Sequence, residues 1–202
     1  MIEALPASFY DRPVVDVAVD LVGCVLHVGE GSGVIVETEA YHHSEPACHA
    51  YVGLTARTST LFATPGSAYV YRSYGVHALL NAVCEGEDVG AAVLVRALEP
   101  LTGVGAMHTR RGRPKVEDLC SGPGKLTQAL GLDLEANATS LIGGPVRITG
   151  RHPDWKDPEI IAGPRIGITR AVELPWRFCA VGSRSVSRPW PPGLATALRR
   201  TG

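Results

Sequence analysis

Cysteine is sparse in this chain, and long apolar segments are missing. The five cysteines are scattered, odd in number and contain no CxxC pair, so a disulfide framework is not expected. No apolar run approaches the length that crosses a bilayer. The N-terminal segment MIEALPASFYDRP also lacks the basic start and apolar core of a signal peptide. These absences predict a cytoplasmic protein with no membrane partner.

Charge is also limited, with 19% charged residues and a net charge of -1. That balance alone argues mildly against a nucleic-acid partner. The charges are unevenly placed, however: residues 1–93 hold three Lys/Arg against eleven Asp/Glu, and residues 94–202 hold sixteen against nine. A basic half can supply a phosphate-binding face in a molecule that is neutral overall. A solvated charge pattern with no partner explains the same counts, so the counts alone do not decide.

Internal repeats and low-complexity linkers are missing too, and 202 residues with 45% apolar side chains are expected to fold as one domain over residues 1–202. Hydrophobic periodicity predicts a helix over 13–21 and a mainly helical segment over 101–131 that breaks at SGPG. Strands are predicted at 24–28, 34–41, 68–71, 78–84, 91–98, 145–149, 165–169 and 177–182. Strands in unequal blocks, with helices at the start and in the middle, predict a single α+β domain.

Glu39 is the first candidate for chemistry. It lies in the predicted strand VIVETEAY, where alternation places Ile35, Glu37, Glu39 and Tyr41 on one face. A carboxylate beside a tyrosine can act as a general base toward water. An exposed strand glutamate with no role explains the same pattern, and for a single residue it is the more common situation.

His42, His43, Cys48 and His49 form a second group, of types that bind zinc. Their spacing fits no closed structural zinc site well, and histidine pairs are common in ordinary loops. A zinc-dependent hydrolase is an alternative that metal analysis and chelator sensitivity would expose. The surrounding segment 42–66 is rich in His, Thr, Ser and Gly, and a loop of this length is usually functional.

Three tyrosines follow on the next predicted strand and its turn. Alternation puts Tyr69 and Tyr71 on one face, where they either pack in the core or form a stacking wall for a flat ligand such as a nucleobase. Tyr74 precedes Gly75 at an expected turn, from which an aromatic side chain could project.

A glycine-rich segment, SGPGK, ends at Lys125 and precedes the helical pattern LTQAL. Free backbone N–H groups at a helix start, joined by a lysine, suit a phosphate. The GxxxxGK spacing of a Walker loop is absent. A simple helix-start turn is an equally good interpretation of the segment.

The order of these motifs and their residues resemble the alkyladenine (3-methyladenine) DNA glycosylase family of the mammalian and bacterial type. The resemblance spans residues 34–171, most of the chain, and VETEAY, YVYxxYG and VLxRALEP in this order are very specific. The matching segments are VIVETEAY (34–41), the Cys48-His49 region, PGSAYVYRSYG (65–75), LLNAVC (79–84), AAVLVRALEPLTG (91–103), LCSGPGKLTQAL (119–130) and the weaker GPRIGITRA (163–171).

The resemblance implies one mixed domain with a curved antiparallel sheet and flanking helices, with no metal and no organic cofactor. It implies a monofunctional enzyme of base excision repair that binds double-stranded DNA through the minor groove and extrudes a damaged purine. No lysine in the matching motifs is an obvious amine nucleophile. Hydrolysis of the bond to the sugar is therefore expected to leave an abasic site without strand cleavage, and the enzyme is expected to act as a monomer.

The resemblance also implies roles for single residues. Glu39 matches the family's general base, and Arg96 matches an arginine that lines the same water site. Asn81 matches an asparagine that obstructs the 2-amino group of normal guanine, and Leu94 an apolar pocket residue. The residues that match those sandwiching and hydrogen-bonding the extruded base are Tyr41, His49 and Tyr71. Contacts to DNA are expected from Tyr74, which matches the residue that fills the vacated space, and from Lys125 and Arg165.

Some positions depart from the family pattern. The segment from Tyr41 to His49 is short, residues 53–62 carry only Arg57 as a basic residue, and His77 stands where some relatives have an aromatic residue. These departures leave open the preference among 3-methyladenine, 7-methylguanine, hypoxanthine and ethenoadenine. A non-catalytic binding module of the same fold is the competing class, and an intact Glu39 with Arg96 argues against it.

Overall fold

The computed structural model describes residues 3–73 and 75–194. Its main feature is an eight-stranded sheet in which every pairing is antiparallel. The strands are β1 (Cys24–Val28), β2 (Gly31–His42), β3 (Ala68–Ser73), β4 (His77–Val83), β5 (Ala91–Thr102), β6 (Val146–Arg151), β7 (Ile160–Gly163) and β8 (Arg177–Ala180). Their order is β3-β4-β5-β2-β1-β6, and β8 pairs with both β2 and β7.

In the part of the chain that the structure describes, four α-helices and five short 3₁₀ helices accompany the sheet. The α-helices are α1 (Ala7–Tyr10), α2 (Val14–Asp20), α3 (Val104–Arg111) and α4 (Pro123–Leu130), and the 3₁₀ helices are His49–Val52, Ser59–Phe62, Val116–Asp118, Leu134–Ala136 and Pro153–Trp155. This architecture confirms the α+β prediction. Within the described ranges, no helix is both long and apolar enough to cross a membrane.

The strand predicted at 165–169 is wrong. The strand that pairs with β8 is instead Ile160–Gly163, which the sequence pattern did not indicate. Residues 165–168 lie across β2, where Arg165 donates to the Ala40 carbonyl and the Ile166 N–H donates to Glu39. Pro164, which has no N–H, and a positive φ of 79° at Gly167 are consistent with this irregular path.

The main core lies between the sheet and two helices. Helix α2 buries Val17 and Ala18 against β2, and α4 buries Leu126 and Ala129 against β4 and β5. Burial of such side chains contributes about 1.5–3 kcal/mol for each large one. A second, smaller apolar cluster lies beneath the 42–66 segment, and its buried members are Cys48, Ala50, Leu61, Tyr69, Val83 and Ala92.

Strand β2 is central, because it pairs with β5 along most of its length, with β1 near its start and with β8 at residues 37–39. The pairing of β2 with β5 is irregular on both sides of Glu37. Ile35 lies opposite Leu98 and Glu37 opposite Ala97, so Val36 is left over on β2; Thr38 then lies opposite Val95, so Arg96 is left over on β5. Such bulges redirect side chains and are common beside active sites.

Candidate active site

A cavity of about 490 Å³ opens over the four neighbouring strands β3, β4, β5 and β2. Its volume falls within the ~300–1,000 Å³ typical of small-ligand pockets. Its walls come from β2, β3, β4 and β5, from the 42–66 segment, from the start of α4 and from residues 166–168. Six residues expected from sequence to form a substrate site line it together: Tyr41, His49, Tyr71, Asn81, Leu94 and Arg96.

Glu39 is fully buried immediately behind this lining. Its Oε2 accepts hydrogen bonds from the Tyr41 hydroxyl at 2.8 Å and from Arg96 Nη1 at 3.1 Å. Its Oε1 accepts the Ile166 N–H at 2.7 Å. All three donors belong to residues that line the cavity, so the carboxylate is one residue layer from the cavity. The interpretation of Glu39 as an exposed strand residue is wrong.

Opposing influences act on the Glu39 carboxyl. Burial raises its pKa, which is the largest effect; Arg96, the Ile166 N–H and the Tyr41 hydroxyl each lower it, and Glu37 raises it. The net pKa is raised. A carboxylate with a raised pKa is a stronger base than an exposed one, and such perturbed groups beside a cavity are candidates for acid–base chemistry.

Arg96 connects two buried carboxylates. Its Nε donates to Glu37 Oε1 at 2.8 Å, while its Nη1 donates to Glu39. Burial acts to lower the pKa of Arg96, but Glu39 and Glu37 outweigh it and the pKa is raised. The guanidinium is therefore a fixed positive charge at the edge of the cavity. Glu37 was not singled out from the sequence, although it shares the ETE motif with Glu39.

Three aromatic rings form one wall of the cavity. The rings of Tyr69 and Tyr71 stack with centroids 5.4 Å apart, and the His49 ring meets Tyr71 edge-on at 4.7 Å. His49 Nδ1 lies 3.1 Å from the Tyr69 hydroxyl. Burial and the nearby Arg57 lower the pKa of His49, and burial raises the pKa of Tyr71 to about 12. Both side chains are thus neutral near pH 7, which suits contact with a flat or cationic ring.

Arg165 supports the cavity from behind and does not face solvent. Its side chain is 0% exposed and its Nη1 bonds both Glu45 Oε1, at 2.7 Å, and the Ala40 carbonyl. The guanidinium lies over the Tyr41 ring, 4.6 Å from its centroid. The guanidinium thus packs against Tyr41 inside the protein, and the expected contact of Arg165 with DNA stays a prediction.

Asn81 and Leu94 lie opposite each other on β4 and β5, and both are buried. Asn81 Nδ2 donates to the Tyr69 carbonyl at 3.1 Å and weakly to the Leu79 carbonyl at 3.5 Å. These bonds orient the amide, and the side chain nevertheless lines the cavity. Asn81 therefore has both a structural bond to the backbone and a place in the cavity wall.

The four residues weighed as zinc ligands do not converge. His42 bonds Ser44 Oγ and lies 3.5 Å from Glu85, whereas Cys48 Sγ faces the Gly90 carbonyl. Among the described residues, no three His, Cys, Asp or Glu side chains are grouped as a metal site would need.

Comparison with known proteins decides the family. A sequence profile of the methylpurine-DNA glycosylase (MPG) family matches residues 8–184. The chain belongs to the methylpurine-DNA glycosylase family. It is accordingly a hydrolase that acts on N-glycosyl bonds of DNA in base excision repair.

Three relatives are similar in sequence to this glycosylase over most of its length. A protein of Rhodopseudomonas palustris is 51% identical over 183 residues, covering 91% of this chain and 87% of its own. One of Bradyrhizobium diazoefficiens is 51% identical over 187 residues, covering 93% and 92%. One of Methanoculleus marisnigri is 50% identical over 189 residues, covering 91% and 98%. All three carry the provisional name 3-methyladenine DNA glycosylase.

The glycosylase has a second, basic cleft of about 780 Å³ next to the first cavity. The two share His77, Arg96, Pro123 and Gly124 as lining residues. Lys125 lies in the first turn of α4 and is exposed at the cleft, with its Nζ 3.3 Å from Ser121 Oγ. Besides Lys125 and the shared Arg96, the arginine and lysine side chains that line the basic cleft are Arg111, Lys115, Arg184 and Arg188, and its carboxylates are Glu117 and Asp118. Tyr74, the remaining expected contact, lies outside the described residues.

Proposed function

We propose that the protein extrudes alkylated or deaminated purines from duplex DNA and hydrolyses the N-glycosidic bond with water activated by Glu39. The substrate class is that of 3-methyladenine, 7-methylguanine, hypoxanthine and ethenoadenine. The observation that carries the proposal is the buried Glu39 carboxylate, held by Arg96 and Tyr41 directly behind an aromatic cavity.

The hydrogen bonds of Glu39 indicate where the water would bind. Among the described residues its Oε1 accepts one hydrogen bond, from the Ile166 N–H, and so keeps a lone pair. Water that donates to this lone pair transfers a proton to Glu39 while its oxygen attacks the sugar carbon. The electrons of the glycosidic bond leave with the purine. The carboxylate also stabilises the positive charge that develops on the sugar.

The aromatic wall supports a purine as the bound ring. Extrusion costs a few kcal/mol, and less for a poorly paired lesion. Stacking on an aromatic side chain returns about 1–3 kcal/mol per base, and an electron-poor alkylated purine suits the faces of Tyr41 and Tyr71. Tyr74 is proposed to fill the vacated space in the duplex; in sequence it falls between Ser73 and His77, which both line the cavity.

The basic cleft supports a role in holding the DNA backbone. Its five exposed or partly exposed cations stand beside the cavity, so a strand whose base enters the cavity would carry its neighbouring phosphates across the cleft. Lys125 and the start of α4 are proposed to bind one such phosphate. One copy of the chain contains all the residues that the proposal needs, which fits a monomer acting on DNA.

A panel of duplexes, each with one damaged purine, tests this function. The protein is incubated with each duplex, and strand breaks are scored before and after alkali. We expect breaks that require alkali at one or more of the four lesions and none at undamaged purines. Breaks that form without alkali would contradict hydrolysis to an intact abasic site, and an absence of product at all four lesions would contradict the substrate class.

A further inference from the structure

Glu37 lies two residues before Glu39 on β2 and is fully buried. Its carboxylate accepts four hydrogen bonds from three residues. Oε1 accepts from Arg96 Nε at 2.8 Å, from Arg177 Nε at 2.7 Å and from Ser187 Oγ at 2.8 Å, and Oε2 accepts the Ser187 N–H at 2.7 Å. An amide at this position would have to turn its N–H groups toward some of these donors, so glutamine cannot reproduce all four bonds.

Arg177 directs its three hydrogen bonds to groups other than Glu39. Besides Glu37, it donates to the carbonyls of Pro189 and Ser187, each at 2.9 Å. Arg96 is different, because it is shared: Nε bonds Glu37, Nη2 bonds Ser187 Oγ at 3.3 Å, and only Nη1 reaches Glu39, at 3.1 Å. The guanidinium is planar, so Glu37 and Ser187 together fix the plane in which Nη1 points.

We infer that Glu37 is a positioning residue for base excision, which holds Arg96 to a single hydrogen bond with Glu39 and thereby leaves a lone pair of Glu39 for water. The inference rests on the proposed function, in which Glu39 is the general base. An arginine free of Glu37 would pair with Glu39 through two N–H groups, the geometry that guanidinium and carboxylate groups favour. That pair would occupy the lone pair that the water needs.

The charges around the two carboxylates fix the sign of the pH effect. Loss of the Glu37 charge removes a repulsion that raises the pKa of Glu39. A closer Arg96 lowers that pKa further, so both changes act in one direction. The titratable or charged groups that face the pair are Tyr41 from β2, Tyr71 from β3, Arg96 from β5, and Arg177 and Cys179 from β8.

The test is Glu37→Gln, compared with wild type by single-turnover excision of 7-methylguanine across acidic and neutral pH. This base already carries a positive charge, so the acidic limb of the profile reports the enzyme. We expect the plateau rate of excision to fall by about tenfold or more. The fall should not exceed the about 10²–10⁴-fold that general-base assistance contributes. The acidic limb moves to lower pH, and binding of the damaged duplex is retained. Glu99→Gln is the matched control, because Glu99 lies on β5 and accepts a hydrogen bond from Ser183. It should keep the wild-type pH profile.

A folded Glu37→Gln protein with the wild-type acidic limb overturns the inference, whatever its rate. If Glu37→Gln does not fold, Ser187→Ala replaces it, because it removes the hydroxyl that bonds both Glu37 and Arg96. In Ser187→Ala the acidic limb of the pH profile should move to lower pH by a smaller amount. An acidic limb at the wild-type position again overturns the inference. Normal excision by Glu39→Gln would instead contradict the proposed function, so the two failures are distinguishable.

Discussion

Asn81 combines a structural bond and a place in the cavity wall, and base preference separates the two roles. Guanine differs from hypoxanthine by its 2-amino group, which a side chain in the wall can exclude. We expect Asn81→Ala to raise the ratio of 7-methylguanine to hypoxanthine excision, by an amount equivalent to about 1–3 kcal/mol. The ratio is measured from single-turnover rates of both bases.

Asn137→Ala is the matched control for this ratio. Asn137 accepts the Val70 N–H and donates to Thr60, but it does not line the cavity. The Asn137→Ala protein should be less stable than wild type but keep the wild-type ratio of 7-methylguanine to hypoxanthine excision. Equal ratios in wild type and Asn81→Ala would assign Asn81 a structural role alone.

At the scale of single residues, the sequence motifs identified most residues that line the cavity but not the buried charged residues behind the lining. Glu39, Tyr41 and Arg96 are named by their motifs and meet at one place. The burial of Arg165 does not follow from the sequence, because its counter-charge, Glu45, comes from a segment with no periodicity that could reveal burial. Glu37 was missed because its partners Arg177 and Ser187 lie 140 and 150 residues away.

At the scale of elements, alternation predicted most of the strands but does not give their pairing. The strand at 24–28 has the predicted bounds, and those at 34–41 and 91–98 lie within longer strands. Alternation cannot reveal a bulge, so the extra residues Val36 and Arg96 were not foreseen. The prediction of a strand at 165–169 was wrong because this segment bonds β2 through the Arg165 side chain and the Ile166 N–H. A pattern of apolar residues does not distinguish such bonds from strand pairing.

The 3₁₀ helix that carries His49 depends on a close contact with Gly90. A Cβ at Gly90 would overlap Ala50 Cβ and lie 2.9 Å from Phe62 Cζ. Gly90→Ala should therefore displace His49–Val52, lower the free energy of unfolding by about 1–3 kcal/mol and weaken binding of damaged DNA. Thermal unfolding and a binding titration measure the two effects.

Gly86→Ala serves as its control, since no described atom lies within 4 Å of a Cβ there. It should keep the midpoint and affinity of wild type. If both alanine variants unfold at the same temperature, the contact does not support the His49 helix.

For the whole molecule, the basic cleft is the surface on which we propose that a protein of net charge -1 holds DNA. Lys125→Ala should weaken binding to damaged and undamaged duplexes alike. Its salt dependence should become shallower, with a slope change of about one for one lost phosphate contact. The measurement is the affinity for both duplexes over a series of salt concentrations.

Lys156→Ala removes the same charge from an exposed position outside the cleft and should leave the slope unchanged. An unchanged slope in Lys125→Ala as well would leave the SGPGK segment as a helix-start turn with no phosphate contact.

The central claim is that Glu39 activates water, and single-turnover excision by Glu39→Gln tests it most directly. The variant should bind a damaged duplex as wild type does, because the aromatic wall and the basic cleft remain. Its excision rate should fall by about 10²–10⁴-fold, the usual contribution of general-base assistance. Glu99→Gln, measured beside it, should excise at the wild-type rate. Near-normal excision by folded Glu39→Gln would contradict the account.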